Sequence, residues 1–219
     1  IYNFRLEIVE RLLADGHEVH ISSPYGERID DLVELGCIYH PIEISRHGMN
    51  PKNELQLIKE YKKLLDEVKP DMCFGFTIKP NIYGAIAAKS RGIPFVANIT
   101  GLGTAVENPG LSQKLFIQLY KYAFTDIQKG LFQNTENQQF FIDHRIALGK
   151  HDLLPGSGVN LDRFSPLPYP DDTTIEFVFI SRIMKEKGID QYLDAAEYIT
   201  KKYDNVKFHI CGFCEAEYE

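Results

Sequence analysis

No apolar run in this chain approaches the roughly 20 residues that cross a bilayer, and its opening Ile1-Tyr2-Asn3-Phe4-Arg5 lacks the charged and apolar regions of a secretion signal. A cytoplasmic location is therefore expected. Positive charge is not in excess either. The 24 Lys and Arg stand against 31 Asp and Glu, a formal charge of −7, which disfavours a nucleic-acid binder that needs a basic face to neutralise phosphates. The four cysteines, at 37, 73, 211 and 214, are too few and too scattered for a disulfide framework. Cys211-Gly-Phe-Cys214 has the spacing of a dithiol or half a zinc site, but no second pair joins it, and a structural metal site normally takes four ligands. What remains is a composition of 44% hydrophobic and 25% charged residues over 219 positions, that of a globular protein able to bury a sizeable core.

Apolar periodicity predicts short strands alternating with helices. The expected helices cover residues 4–14, 28–35, 52–68, 80–92, 111–128, 135–146 and 187–202; Thr135 is the expected cap of the sixth. Strands are expected at 17–22, 37–42, 71–75, 94–99, 130–134, 152–154, 175–180 and 206–211. In the long helix from 52, Leu55, Leu57, Ile58, Tyr61, Leu64 and Leu65 form the apolar side. Such alternation gives an α/β fold, a Rossmann-type doubly wound parallel sheet. Clustered Gly and Pro from Pro155 onward mark a boundary, so residues 1–155 form one domain, 156–172 a crossing, and 173–219 the opening of a second Rossmann-like domain. The chain begins on a helix with no strand before it. A central strand is expected to be missing, leaving the sheet incomplete or its gap filled by something else.

Two strand ends carry the chemistry. The nearly all-apolar run 175–180 reads as an inner strand covered on both faces, with Ser181 and Arg182 at its carboxyl end. Lys187-Gly188 then opens a helix whose expected buried stripe is Ile189, Leu193, Ala196 and Ile199. Ligands gather at this edge of open α/β sheets, and a helix amino terminus favours an anion. Arg182 and Lys187 thus suit a diphosphate clamp, or else are ordinary solvated charges. After strand 94–99, Thr100-Gly-Leu-Gly-Thr104 lets backbone approach a ligand at Gly101 and Gly103. The third glycine of the dinucleotide fingerprint is absent, which disfavours hydride transfer. His47 and His144 are available general bases, but neither sits in a motif, and no catalytic residue is assigned. In helix 111–128, an aromatic stripe is flanked by Lys114, Lys121 and Lys129. Burial in the core is its first reading, contact with anionic lipid its second.

The segment Ser181-Arg-Ile-Met-Lys-Glu-Lys-Gly188 resembles the nucleotide-sugar site of GT-B glycosyltransferases of the retaining family 4. Lys79-Pro80-Asn81 followed by Ile99-Thr-Gly-Leu-Gly-Thr104 resembles the subgroup that builds capsule, exopolysaccharide and lipid-linked saccharides. Pro155-Gly-Ser-Gly-Val-Asn160 is similar to the family's inter-domain crossing, with Asn160 where Asp is usual. The resemblance implies a GT-B-like fold in which Arg182 and Lys187 hold the donor diphosphate. It implies an acceptor lying against Arg46, Thr77, Lys79, Asn81, Thr100, Gly101, Gly103 and Thr104, and a cleft lined by Gly156, Ser157, Gly158 and Val159. The partners implied are a nucleotide sugar, with UDP-sugar as donor, and a saccharide or polyprenyl-diphosphate-linked acceptor. No metal or other cofactor is implied; peripheral contact with the inner face of the membrane is compatible. The family's two glutamates eight positions apart cannot be placed here, so the chain is expected to hold the acceptor domain and the opening of the donor domain, and to be inactive alone. A sugar-nucleotide epimerase or hydrolase on the same scaffold, and a non-catalytic acceptor-binding module, are the alternatives.

Overall fold

In a computed structural model, which describes residues 1–45, 50–103, 106, 110–170 and 173–214, the chain divides into two compact units, Ile1–Asn160 and Leu161–Glu219. The first contains α1 (Tyr2–Ala14), β1 (His20–Ser23), α2 (Ile29–Glu34), β2 (Ile38–Pro41), α3 (Pro51–Val68) and β3 (Cys73–Phe76). A π-helical turn, Pro80–Gly84, leads into α4 (Ala85–Lys89). Then come β4 (Phe95–Ile99), α5 (Leu111–Ala123), β5 (Lys129–Phe132), α6 (Thr135–Asp143) and β6 (His151–Leu153).

The strands of this unit form two parallel sheets, β1-β2 and β3-β4-β5-β6. Among the described residues no ladder joins them. An incomplete sheet was among the expectations, though its place in the strand order was not. Register in the larger sheet runs Phe76↔Asn98, Ile99↔Phe132 and Phe132↔Leu153, so all four carboxyl ends share one edge. Parallel neighbours need a crossover, and the intervening helices supply it while covering the faces. Each of the five residues of β4 is buried. Beneath it, Tyr120, Phe124, Phe132 and Phe141 interlock, with ring centroids 5.0 Å apart for Tyr120–Phe141 and Phe132–Phe141 and 5.1 Å for Tyr120–Phe124, in the edge-to-face manner that aromatic quadrupoles favour. A smaller core of Val9, Ile21, Ile29, Leu32 and Cys37 lies under β1-β2. From α1, the buried Arg5 places its guanidinium 5.1 Å from the Phe76 ring centroid of β3.

Several local expectations are corrected. The cap of α6 is Asn134, not Thr135: its side chain accepts from the Asn137 amide at 2.8 Å, and Asn is the stronger of two adjacent capping residues. Leu55 lies on the exposed side of α3. The helix expected to reach residue 128 ends at Ala123, where the Thr125 hydroxyl donates to the Tyr122 carbonyl at 3.0 Å and satisfies a terminal acceptor. Phe124 and Ile127 remain buried beyond that end.

The second unit pairs β7 (Ile175–Ile180) with β8 (Val206–Cys211) in parallel register over all six residues, with a 3-10 turn (Lys185–Lys187) and α7 (Ile189–Thr200) between them. Contrary to the expected strand covered on both faces, most of β7 is exposed. Phe177 and Phe179 turn toward α7, where Tyr192 lies tilted against Phe179 and edge-on to Phe208 and donates its hydroxyl to the carbonyl of His209 at 2.9 Å. Alternation sends Val178 and Ile180 to the other face, where this unit's described residues supply no packed layer. In α7, Ile189 is buried as expected but Leu193 is exposed. The helix starts two residues later than expected, because Gly188 takes a left-handed φ of 81°.

Candidate functional site

The carboxyl ends of β3 and β4 are followed by two loops that touch. Thr77 leaves β3 with φ 69°, a left-handed conformation costing about 1 kcal/mol or more in a β-branched residue. Across from it, Gly103 has φ 71°, the left-handed region that favours glycine, and a Cβ there would sit 2.9 Å from the movable Ile78 Cδ1. Lys79 follows, its ammonium 2.6 Å from Glu54 Oε1 with both side chains mostly buried. Burial and then the nearby Glu54 charge hold the Tyr83 phenol well above its ordinary pKa.

Inside this edge, the buried Asn81 donates its side-chain amide to the Asn98 carbonyl at 2.9 Å. It sits against Gly75, where a Cβ would lie 2.5 Å from Asn81 Oδ1 and 2.5 Å from Phe95 Cζ. Asn81 Oδ1, Asn98 Oδ1 and Glu54 Oε2 are buried without a hydrogen-bond partner among the described residues. Buried polar atoms are nearly always paired, so these acceptors depart from the rule. Chemically the edge combines a fixed cation, strained turns and acceptor oxygens.

The structure thus gathers Thr77, Lys79, Asn81, Thr100, Gly101 and Gly103 at one strand edge. Arg46, His47 and Thr104 lie outside the described residues. Glu54, Tyr83 and Asn98 are additions that sequence reasoning missed. For Glu54 a signal existed: it falls on the buried helical stripe with Leu57, Tyr61 and Leu65, and an acid at an apolar position requires a partner.

The segment 154–160 is tied to the same sheet. The Leu154 amide donates to Phe132 at 2.7 Å, and Ser157 Oγ accepts from Gln133 Nε2 at 3.0 Å. Gly156 and Gly158 both have positive φ, and Val159 is exposed. Asn160 donates to Glu7 at 3.3 Å. In the second unit, Arg182 and Lys187 are both exposed in the connection between β7 and α7. That connection is laced to the loop after β8: Ile183 N donates to Phe213 O at 3.0 Å, and a Cβ on Gly212 would lie 1.8 Å from the Ser181 carbonyl oxygen. Lys185 adds a third cation there.

His144 ends α6, its ring Nδ1 2.7 Å from the Phe140 carbonyl. All four cysteines are free, and burial pushes the Cys73 thiol up to about 11. Among the described residues no three His, Cys, Asp or Glu side chains are placed to hold a metal, and no helix is long and apolar enough to cross a membrane.

Comparison with known proteins places this geometry. Residues 2–134 match the family model described as glycosyl transferase 4-like. The chain is 27% identical, over 97% of its length, to the N,N'-diacetylbacillosaminyl-diphospho-undecaprenol alpha-1,3-N-acetylgalactosaminyltransferase of Campylobacter jejuni, and spans 60% of that protein. Among solved structures it resembles Anabaena HepE in complex with UDP and glucose, with a TM-score of 0.71, 13% identity, and 97% of this chain against 58% of that one. A glycosyltransferase from Rickettsia africae gives a TM-score of 0.68 at 18% identity, with coverages of 96% and 56%. A UDP-N-acetylglucosamine 2-epimerase gives 0.60 at 10%, with coverages of 93% and 60%.

Proposed function

This chain belongs to the glycosyl transferase 4-like family, with a Rossmann-like GT-B fold, and on that premise we propose that it serves sugar transfer from a nucleotide diphosphate to a lipid-linked saccharide. The first unit binds the acceptor, a saccharide carried on a polyprenyl diphosphate; the second contributes to holding the donor, a UDP-sugar. In the reaction the acceptor hydroxyl oxygen bonds to the anomeric carbon while the bond from that carbon to the donor phosphate oxygen breaks. The hydroxyl proton passes to the departing diphosphate, and configuration is retained. The product belongs to surface polysaccharide or another lipid-linked glycan.

The observation that carries this reading is the β3/β4 edge, where Lys79 is fixed by Glu54 beside buried asparagine oxygens. A fixed cation at a strand edge suits an anionic diphosphate. Arg182 and Lys187 suit the second diphosphate, whose growing charge such cations stabilise by several kcal/mol, order of magnitude, in a dry site. No metal is needed for that role.

The test is saturable binding of a short-chain polyprenyl-diphosphate monosaccharide to the full chain, weakened on the order of tenfold by Lys79→Met, followed by addition of a radiolabelled UDP-sugar. Label entering the lipid-soluble fraction supports the reading. Altered free sugar favours an epimerase, the second activity represented on this scaffold. Acceptor binding without any turnover is expected if the 219 residues act only as the acceptor side, and absence of acceptor binding overturns the proposal.

A further inference from the structure

Arg5 of α1 is a charge buried without an opposite. The residue is 6% exposed, and its guanidinium lies 5.1 Å from the ring centroid of Phe76, the last residue of β3. Burying a guanidinium is costly unless a carboxylate answers it. Among the described residues Arg5 forms no ion pair. Its Nη1 donates to the Phe4 carbonyl at 2.6 Å, and its Nε is buried without a hydrogen-bond partner. Nη2 has no partner among the described residues either, but it is not a fully buried atom, so that edge of the fork still reaches solvent. Lys79, a little further along the same connection, already has the Glu54 carboxylate at 2.6 Å. Desolvation lowers the Arg5 pKa, yet a guanidinium keeps its proton at neutral pH.

We propose that Arg5 binds the diphosphate of the acceptor, its solvent-facing Nη2 edge meeting a phosphate oxygen where the chain turns from β3 into Thr77, Ile78 and Lys79. The inference rests on the first unit taking a diphosphate-linked acceptor. Its place is the ligand edge of the sheet: Phe76 pairs in register with Asn98 and precedes the left-handed Thr77. The front of α1 also lies beside the end of the segment 154–160, where Glu7 accepts from Asn160 at 3.3 Å. A guanidinium held against Phe76 loses little further freedom when an anion arrives, its apolar surroundings strengthen the attraction that water would screen, and its planar fork matches phosphate oxygens. As mere packing against Phe76, an uncharged side chain would serve without the desolvation. A nucleotide's diphosphate has the same chemistry, so the test separates the two sources.

The experiment follows the Nε–H NMR resonance of Arg5 in the full chain during separate titrations with inorganic pyrophosphate, UDP and a short-chain polyprenyl-diphosphate monosaccharide. Pyrophosphate and the saccharide should shift it, and UDP should not. Arg5→Met gives the second readout: pyrophosphate affinity should fall on the order of tenfold, partly recovered by Arg5→Lys, while the urea midpoint stays level or rises because an unanswered buried charge has gone. A lowered midpoint with pyrophosphate affinity intact would make Arg5 structural and overturn the proposal, as would a resonance moved by UDP and not by the saccharide. If Arg5→Met does not fold, the wild-type resonance decides. The saccharide binding with Arg5 unmoved overturns the proposal and spares the acceptor reading; pyrophosphate moving Arg5 while the saccharide binds nowhere keeps Arg5 as an anion-binding residue and overturns that reading.

Discussion

Two strands of nearly identical character, Phe95–Ile99 and Ile175–Ile180, end in different places. The first is buried along its whole length between β3 and β5, with helices on both faces; the second pairs, among the described residues, with β8 and exposes most of its side chains, Ile180 by 76%. A nearly all-apolar strand therefore reports what it is able to bury. What it does bury depends on how many neighbours surround it, and among the described residues the first unit supplies a four-stranded sheet where the second supplies two strands and one helix.

The largest test of this contrast is a pair of truncations. Phe141→Ala, which removes the ring at the centre of the Tyr120, Phe124 and Phe132 cluster, should cost about 3–5 kcal/mol in urea denaturation. Val178→Ala should cost under about 1 kcal/mol, since its side chain is already half in water. Similar losses at both positions would mean that β7 is as well covered as the aromatic core of the first unit.

Next in size is Glu54→Gln, which takes the paired carboxylate away from the mostly buried Lys79 ammonium. We expect a stability loss of about 3 kcal/mol, partly recovered by Glu54→Gln with Lys79→Met; denaturation midpoints of the single and double variants decide it. The second unit has its own weak point. Gly212→Ala brings a Cβ onto the Ser181 carbonyl, a backbone atom that cannot swing aside, so the two loops must separate at a cost of about 2 kcal/mol. Amide exchange at Ile183 should speed up in that variant while β4 amides stay protected; unchanged exchange at Ile183 would contradict the close approach.

The smallest effect concerns the small sheet of the first unit. His20 Nδ1 and His40 Nε2 are 2.8 Å apart, with His20 also 2.7 Å from Glu18. Burial first, then the neighbouring His20, lowers the His40 pKa, while Glu67 opposes them. The unfolded chain therefore binds a proton that the folded chain resists. Stability should fall as pH drops below about 6.5, the unperturbed value, and His40→Gln should flatten that slope. An unchanged slope would remove the pair from the account.

Much of the fold was legible because hydrophobic spacing is set by the helix and strand periods themselves. Strands 175–180 and 206–211 were placed to the residue. Misplaced features were those decided by competition between neighbours. Asn134 and Thr135 both cap well, and Asn won. The helix expected over 80–92 became a π turn and a short helix. Leu55 was counted as core from its type alone. At the site, the loops were found by their glycines and by Lys79-Pro80-Asn81, but Asn98 was hidden inside an apolar strand and Tyr83 in a run of small residues. Glu54 alone had a sequence signal, an acid on an apolar stripe.

The central claim is a division of labour: acceptor on the β3/β4 edge of the first unit, donor diphosphate on the β7 end of the second. Backbone amide NMR of the full chain, titrated separately with a short-chain polyprenyl-diphosphate saccharide and with UDP, tests it most directly. The account predicts that the first ligand shifts the amides of Thr77, Lys79, Asn81, Gly101 and Gly103, and that UDP shifts those of Ser181, Arg182, Lys187 and Gly188. Both ligands perturbing the same set, or the saccharide leaving the first set unmoved, would contradict it.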